Sequence, residues 1–363
     1  MLTLETAQPS RAPRPTARAT RLSHLSFARP DLERTARFLV DFGLTELVHA
    51  AGEGAGPARR YFRGTRSSGY CYRVEQGARP TFIGLGFAVA TREELEALAA
   101  LPGAGEIVSS THPGGGELLT LRDPCGFEVE VVYGQEPLAR LADREAFVFN
   151  NGDGIPRIDA TQRTLLEPPS VLDLGHLVLE APRFQATCAF YTEHFGLIPS
   201  DVQLLPDGSP AVAFLRLDRG DTPTDHHTLA LAQGVTPAFG HAAFELVDAD
   251  AIGIGGRLLR EQGWRHAWGI GRHILGSQIF DYWQDPWGDK HEHYTDGDRF
   301  TDAVPTGFHP VSREAMAQWG PPMPRDFAKP RLSPAKLAAI VRNVRDSPDL
   351  DVHKLMTMAR LFG

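Results

Sequence analysis

Two histidines and one glutamate in the second half of the chain could together hold a metal ion. His176 opens the predicted strand HLVLEA, His241 opens the predicted strand HAAFELV, and Glu292 lies in a third, DKHEHYTD. Alternate side chains of a strand share a face, so three strands curved around one cavity would bring these groups together. Two imidazoles and one carboxylate suit a divalent first-row metal, and with open positions they form the facial arrangement of non-haem Fe(II) oxygenases.

Each of these residues alone is also consistent with an ordinary structural role. A single histidine near a strand end is more often structural than metal-binding. His291 and His293 flank Glu292, but HEH lacks the HExxH spacing that places two histidines on one helical face. No zinc motif of that type is therefore predicted, and Glu292 is expected to face away from both neighbours.

An internal repeat supplies the elements that would position these side chains. The segment from Leu22, LSHLSFARPDLERTARFLVDFGL, resembles the segment from Leu174, LGHLVLEAPRFQATCAFYTEHFGL. Both predict a strand, a turn with Pro and an amphipathic helix that ends at Phe-Gly-Leu, where Gly is the usual left-handed stop. Each half closes with Asp-Pro-x-Gly in a tight turn between two strands, followed at the same offset by Glu130 or Glu292.

A second strand–helix pair lies between these ends in each half. The sequence therefore predicts an α+β fold of tandem βαβββ modules, which form two curled-sheet, barrel-like domains with a C-terminal helical extension. The predicted domains are a disordered N-terminal tail (1–21), a first module without metal (22–150), a catalytic metal-binding module (171–300) and an extension with a strap and helices (301–363). Ser333 and Pro334 predict the start of one helix in the extension, by N-capping and by Pro at the first position. Packing is favoured over a lid for this extension.

Length and composition limit the classes of function. A chain of 363 residues is expected to fold as two domains plus extensions, and its net charge of −8 argues against nucleic acid as the main partner. No apolar run approaches the roughly 20 residues of a membrane helix. The three cysteines form no CxxC pair, which fits a reducing, cytoplasmic compartment. The first residues lack the apolar region of a secretory signal; their prolines favour a disordered tail over a transit peptide.

Several pieces of the second half resemble the type I extradiol dioxygenases of the vicinal-oxygen-chelate superfamily. The matching pieces are LGHLVLE, DHHTLALA, GHAAFELVD, GIGRHILGSQIFDYWQDPWG and HEHYTDGD, and the resemblance covers about residues 22–300. It implies Fe(II), or occasionally Mn(II), held by His176, His241 and Glu292. It places a family histidine at His227, which is expected to be the acid–base group. By strand alternation, His226 is expected to point to the other face.

The same resemblance assigns His273 and Tyr282 to contacts with the substrate and with the oxygenated intermediate. In the first half, His24 and Glu130 match ligand positions, but the middle position falls on Gly84, so that module is expected to keep the fold without the metal. One departure is the run ILGS after His273, where many family members have small polar residues. With Leu275 at this place, the sequence does not predict the shape of the pocket.

The implied function is cleavage of a catechol-type aromatic diol by O2 next to the diol carbons. The substrates would be a small aromatic diol and O2, with neither nucleic acid nor membrane as a partner, and a homo-oligomer is expected. One alternative is another metalloenzyme of the superfamily, a glyoxalase-like isomerase or lyase. The second is a non-catalytic protein that binds aromatic ligands. The ligand lost at Gly84, with His227 and Tyr282 present, argues against the isomerase or lyase. The complete set of His176, His241 and Glu292 argues against the non-catalytic binding protein.

Overall fold

The structure is a computed structural model that describes residues 8–48, 57–313, 316–327 and 334–362. Within these residues the chain forms two large mixed sheets, a two-stranded ribbon and six helices. This confirms the predicted α+β fold. None of the described helices is long and apolar enough to cross a membrane.

The first half contains two β-α-β-β-β units, as the repeat predicts. The first unit comprises β1 (Ala19–Arg29), α1 (Leu32–Asp41), β2 (Thr45–Leu47), β3 (Arg59–Arg63) and β4 (Tyr72–Gln76). The second comprises β5 (Thr81–Val89), α2 (Arg92–Ala99), β6 (Val108–Ser109), β7 (Glu117–Arg122) and β8 (Glu128–Tyr133).

The second half repeats this pattern with one additional short strand and ends in the extension. Its first unit comprises β9 (Val171–Ala181), α3 (Phe184–Phe195), β10 (Ile198–Leu204), β11 (Pro210–Arg216), the short β12 (Thr224–Asp225) and β13 (Leu229–Gln233). Its second comprises β14 (Ala238–Leu246), α4 (Ala249–Glu261), β15 (Arg265–Arg272), β16 (Ile279–Gln284) and β17 (Lys290–Thr295). The remaining elements are β18 (Arg299–Phe300), β19 (Gly307–Pro310), α5 (Pro334–Asp346) and α6 (Val352–Phe362).

The two sheets have the same strand order. The first runs β2-β3-β4-β1-β5-β8-β7-β6, and the second runs β10-β11-β13-β9-β14-β17-β16-β15, with β19 added beyond β10. In both, the first strand of each unit lies at the centre of the sheet, and the two units meet there. The curled sheets stay open, because in the described residues neither sheet closes into a barrel.

The Asp-Pro-x-Gly turns show why the sequence folds locally as it does. Gly126 and Gly288 have φ values of +91° and +92°, which glycine adopts without the steric cost of a Cβ atom. The aspartate of each turn accepts a backbone N–H four residues later, with Asp123 to Phe127 and Asp285 to Asp289 both at 2.9 Å. Each turn therefore sets the start of the strand that carries Glu130 or Glu292.

The modules pack through related contacts, so that the turn of each one meets a helix of the other. The Cys125 thiol lies 3.3 Å from the Thr187 hydroxyl, and the Trp287 indole N–H donates to the Thr35 hydroxyl at 3.1 Å. Side chains from both modules form one continuous hydrophobic core. The module that carries the metal-binding candidates therefore packs against the other half of the chain.

The two ends of the chain pack against the second module. Strand β1 starts at Ala19, and the preceding residues, predicted as part of a disordered tail, make contacts instead: Thr16 N–H donates to the Glu193 carbonyl at 2.7 Å, and Arg11 pairs with Asp218 at 2.9 Å. Residues 1–7 of that tail, and the predicted N-cap Ser333, lie outside the described residues. Helix α5 begins at Pro334, as predicted.

Candidate metal centre

Strand register places the three predicted ligands on one face of the second sheet. Ala243 of β14 pairs with His176 of β9 on one side and with Glu292 of β17 on the other. His241 lies two residues before Ala243, so its side chain is on the same face. The sequence predicted that both histidines open their strands. In the structure they lie inside β9 and β14. Three neighbouring strands thereby direct two imidazoles and one carboxylate to one point.

The ligand atoms converge closely enough for one ion. One ligand atom from each of the three residues lies within 4.8 Å of the others. His241 Nε2 and His176 Nε2 are 3.2 and 3.4 Å from Oε2 of Glu292. Neither carboxylate oxygen of the fully buried Glu292 makes a hydrogen bond with acceptable geometry. Because a buried carboxylate without a partner is very costly, these residues fit a divalent cation well.

The protonation states favour metal binding. Burial would raise the pKa of Glu292, but the imidazoles of His176 and His241 hold it well below its usual range. Burial lowers the pKa of His241 to about 4, against the opposing effect of Glu292. The site therefore offers an ionised carboxylate and a neutral imidazole at neutral pH, the forms that coordinate metals.

His273 and Tyr282, which the resemblance assigned to contacts with the substrate, lie beside Glu292. Tyr282 pairs directly with Glu292 across β16 and β17, and its hydroxyl is 3.0 Å from Nε2 of His273. That nitrogen lies 3.6 Å from Glu292 Oε1. On its other side, His273 Nδ1 donates to the carbonyl of Met316 at 2.7 Å. Burial, with a further contribution from Glu292, raises the pKa of Tyr282 far above its usual value, so its hydroxyl stays protonated.

His227 also reaches the centre, although not from a strand. It lies in the link between β12 and β13, and its ring packs on that of His176 with a centroid distance of 4.0 Å. Burial first, and then the neighbouring His176, lowers the pKa of His227 well below its usual value. Its Nδ1 is 3.0 Å from Nδ1 of His226.

The histidines that flank Glu292 point away from the centre, as predicted. His293 donates from Nε2 to the Phe42 carbonyl at 2.7 Å, and its ring stacks on Phe42 at 3.8 Å. The ring of His291 packs against that of Phe38 with a centroid distance of 5.3 Å, and its Nε2 lies 3.3 Å from the Tyr72 hydroxyl. Both are buried between the modules, so the structure gives them a packing role.

The first module has a counterpart of this centre in which a guanidinium lies beside the glutamate. Gly84 and Gly86 of β5 pair with Glu128 and Glu130 of β8, which is the register of His241 and Ala243 against Lys290 and Glu292. His24 Nε2 lies 2.6 Å from Glu130, and Arg73 donates to both Glu130 oxygens at 2.9 and 3.1 Å. Arg73 was not predicted from the sequence, because it is an unexceptional arginine in an alternating strand.

The run after His273 does not add a polar group to the centre. Ile274 is 42% exposed and Leu275 is half-buried. The strap of the extension packs against the strands on either side of this run. Trp268 Nε1 in β15 donates to the Pro321 carbonyl at 2.8 Å, and the ring centroids of Phe327 and Tyr282 in β16 are 5.1 Å apart. This agrees with the packing role expected for the extension.

Known proteins share both sequence and fold with this chain. Residues 173–292 match the model of the Glyoxalase/Bleomycin resistance protein/Dioxygenase superfamily. Metapyrocatechase 2 of Cupriavidus necator is 29% identical over 336 residues, which cover 90% of this chain and 97% of that protein. The resemblance to the extradiol dioxygenases of the vicinal-oxygen-chelate superfamily is thereby confirmed.

Solved structures share the two-module fold. An extradiol ring-cleaving dioxygenase from B. fuscum matches with a TM-score of 0.71 and 20% identity, over 91% of this chain and 87% of that chain. Homoprotocatechuate 2,3-dioxygenase from Arthrobacter globiformis matches with a TM-score of 0.69 and 21% identity, over 88% and 93%. A Mn(II)-bound glyoxalase from Novosphingobium aromaticivorans matches with a TM-score of 0.70 and 22% identity, over 88% and 97%.

Proposed function

We propose that the protein is an extradiol dioxygenase that inserts both atoms of O2 into a catechol-type diol, beside the diol carbons, and opens the ring. The observation that carries this proposal is the convergence of His176 and His241 on the buried carboxylate of Glu292, neither oxygen of which has a hydrogen bond of acceptable geometry. The similarity to Metapyrocatechase 2 supports the same reaction class.

We further propose Fe(II) as the natural metal, with Mn(II) as the alternative. The two imidazoles and one carboxylate would occupy three positions and leave the remaining ones open to small ligands. When bound, the metal would supply the redox chemistry and keep diol and dioxygen side by side.

His227 is proposed as the general base and acid. Its buried ring is neutral at physiological pH, because its pKa is held low, and it lies against the ligand His176. A neutral imidazole there can accept a proton from a diol hydroxyl and later return it to the product. The position of His227 against His176 and the acid–base chemistry of imidazole both support this role.

Tyr282 and His273 are proposed to orient the substrate. The Tyr282 hydroxyl is protonated and lies beside Glu292, so with substrate bound it would turn from His273 Nε2 and donate its hydrogen bond to an oxygen that gains negative charge. His273 is held by the Met316 carbonyl at Nδ1, which leaves Nε2 facing the Tyr282 hydroxyl. The pair lies beside Glu292, whereas His227 packs on His176.

A panel of catechols tests the proposal. The protein, loaded anaerobically with Fe(II) or Mn(II), is mixed with each diol and ¹⁸O2, while oxygen uptake and the ring-opened product are followed. We expect one O2 consumed per diol and two labelled atoms per product molecule. His241→Ala should lose both metal and turnover, while the exposed-site control His353→Ala should keep both.

Two outcomes would contradict this function. Metal bound in the stoichiometric amount with no diol consumed would reject the dioxygenase. Isomerisation of a glyoxalase substrate by the same sample would instead favour the glyoxalase-like alternative, which the fold shared with the Mn(II)-bound glyoxalase makes the next one to test. His227→Ala should keep its metal and lose most of its turnover.

A further inference from the structure

A chain of hydrogen bonds runs from His227 to the protein surface. His227 Nδ1 lies 3.0 Å from His226 Nδ1, and His226 Nε2 lies 2.6 Å from Oδ2 of Asp201. The second oxygen of Asp201 is 2.7 Å from Nε2 of His309. The side chains of His226 and Asp201 are 1% and 13% exposed, whereas His309 is 43% exposed. None of these partners is a metal-ligand candidate.

The direction of these hydrogen bonds follows from the carboxylate. Burial would raise the pKa of Asp201, but the hydrogen bonds from His226 and His309 hold it below its ordinary value. An ionised carboxylate can only accept, so both imidazoles must donate to it from Nε2. With Nε2 of His226 engaged as the donor to Asp201, the tautomer with a lone pair at Nδ1 accepts the Nδ1–H of His227 across the 3.0 Å contact between the two rings.

We propose that Asp201 and His226 are positioning residues that fix His227 in its Nδ1–H tautomer and leave Nε2 as its basic nitrogen. Among the described residues no hydrogen bond reaches Nε2 of His227, and its ring packs on the ligand His176. The proposal deepens the proposed function, because it rests on His227 as the base.

The parts of this arrangement come from three separate regions of the chain. Asp201 lies in β10, the two histidines lie in the link between β12 and β13, and His309 lies in β19. Strand β19 pairs in parallel with β10, with Gln203 opposite His309, which sets His309 beside Asp201. The extension beyond residue 300 therefore anchors the acid–base group of the centre from outside, with His309 as its exposed end.

Histidine nitrogen NMR tests the tautomer without measuring activity. Protein labelled with [¹⁵N]histidine and loaded with diamagnetic Zn(II) is recorded beside the same protein without metal, and the His227 signals are assigned with His227→Gln. We expect Nδ1 of His227 to be protonated and Nε2 to be unprotonated in the wild-type protein. Asp201→Leu and His226→Phe should each remove this preference, and His266→Phe, which breaks the separate His266–Asp281 pair at 2.6 Å, should retain it.

Kinetics then show whether the tautomer matters. With Fe(II) and an accepted catechol, Asp201→Leu should lower kcat about 10- to 100-fold at unchanged metal content, while KM changes less than about twofold. His266→Phe should keep the wild-type kcat. Protonated Nε2 in the wild-type protein, or an unchanged His227 tautomer in a folded Asp201→Leu variant, would overturn the proposal. The nitrogen signals report this even if no catechol is consumed, so failure of the proposed function is recognised separately.

Discussion

Arg73 donates to both carboxylate oxygens of Glu130, at 2.9 and 3.1 Å, in the first module's counterpart of the metal centre. Glu130 pairs with Gly86 as Glu292 pairs with Ala243, so the guanidinium stands beside the equivalent carboxylate. Both side chains are buried. In the first module, the guanidinium of Arg73 thus provides the positive charge beside Glu130.

Arg73→Met should destabilise the protein by about 3–5 kcal/mol, because it leaves Glu130 buried without its cation. Urea unfolding measures this loss. Arg59→Met, which breaks the more exposed Arg59–Glu75 pair at 3.1 Å, should cost at most about 1 kcal/mol. Metal content should stay at one ion per chain in both variants. Equal losses of stability in the two variants would argue against a special role for Arg73.

Gly84→Ala should also be destabilising, by about 1–3 kcal/mol or more. A Cβ at this position would lie 1.9 Å from the Glu128 carbonyl oxygen, so β5 would have to move away from β8. Gly253→Ala is the matched control, because a Cβ there meets nothing within 4 Å and the residue lies inside helix α4. That variant should gain up to about 1 kcal/mol. Thermal unfolding of both proteins measures the opposite signs, and a stable Gly84→Ala protein would contradict the crowding.

Arg29 joins the two modules through a fully buried guanidinium. It donates to Asp285 at 3.0 Å and to Asp289 at 2.7 Å, and both acceptors belong to the turn before the Glu292 strand. Arg29→Met should cost about 3–5 kcal/mol, because Asp285 would remain buried without a partner cation. The double variant Arg29→Met/Asp285→Asn should be about 1–3 kcal/mol more stable than the sum of the single effects predicts. Strict additivity in urea unfolding would exclude this coupling.

Glu245 should make stability fall as pH rises. Burial, followed by the neighbouring Asp225, raises its pKa from 4.5 to about 7. Between those two values the folded protein holds a proton that the unfolded chain releases, so the free energy of unfolding decreases with increasing pH. The loss attributable to this residue between pH 5 and pH 8 is about 2 kcal/mol.

Urea unfolding at pH 5 and pH 8 measures this effect. Glu245→Gln should remove that part of the pH dependence and be relatively more stable at pH 8. Glu106→Gln, at an exposed position, removes the same charge and should keep the wild-type dependence. If the wild-type protein and Glu245→Gln show the same change between the two pH values, Glu245 does not carry it.

The sequence alone determined the modular fold and the candidate ligands. Strand and helix periodicity is local, and the Asp-Pro-x-Gly turn sets the position of the glutamate that follows it. The repeat therefore aligned His24 with His176, Gly84 with His241, and Glu130 with Glu292, and the strand register agrees with each of these pairs. It also directed His291 and His293 away from the centre, because alternation within a strand needs no knowledge of the rest of the fold.

Only the tertiary structure decided what surrounds those residues. Asp201 and His309 are 108 residues apart, and His273 and Met316 are 43 apart; in both cases a strand or strap of the extension brings them together. The place of Arg73 beside Glu130 and the crowding at Gly84 depend in the same way on how strands of the first sheet curve towards each other. Such contacts have no periodic signal in the sequence, because they arise from the packing of distant segments and not from local backbone preference.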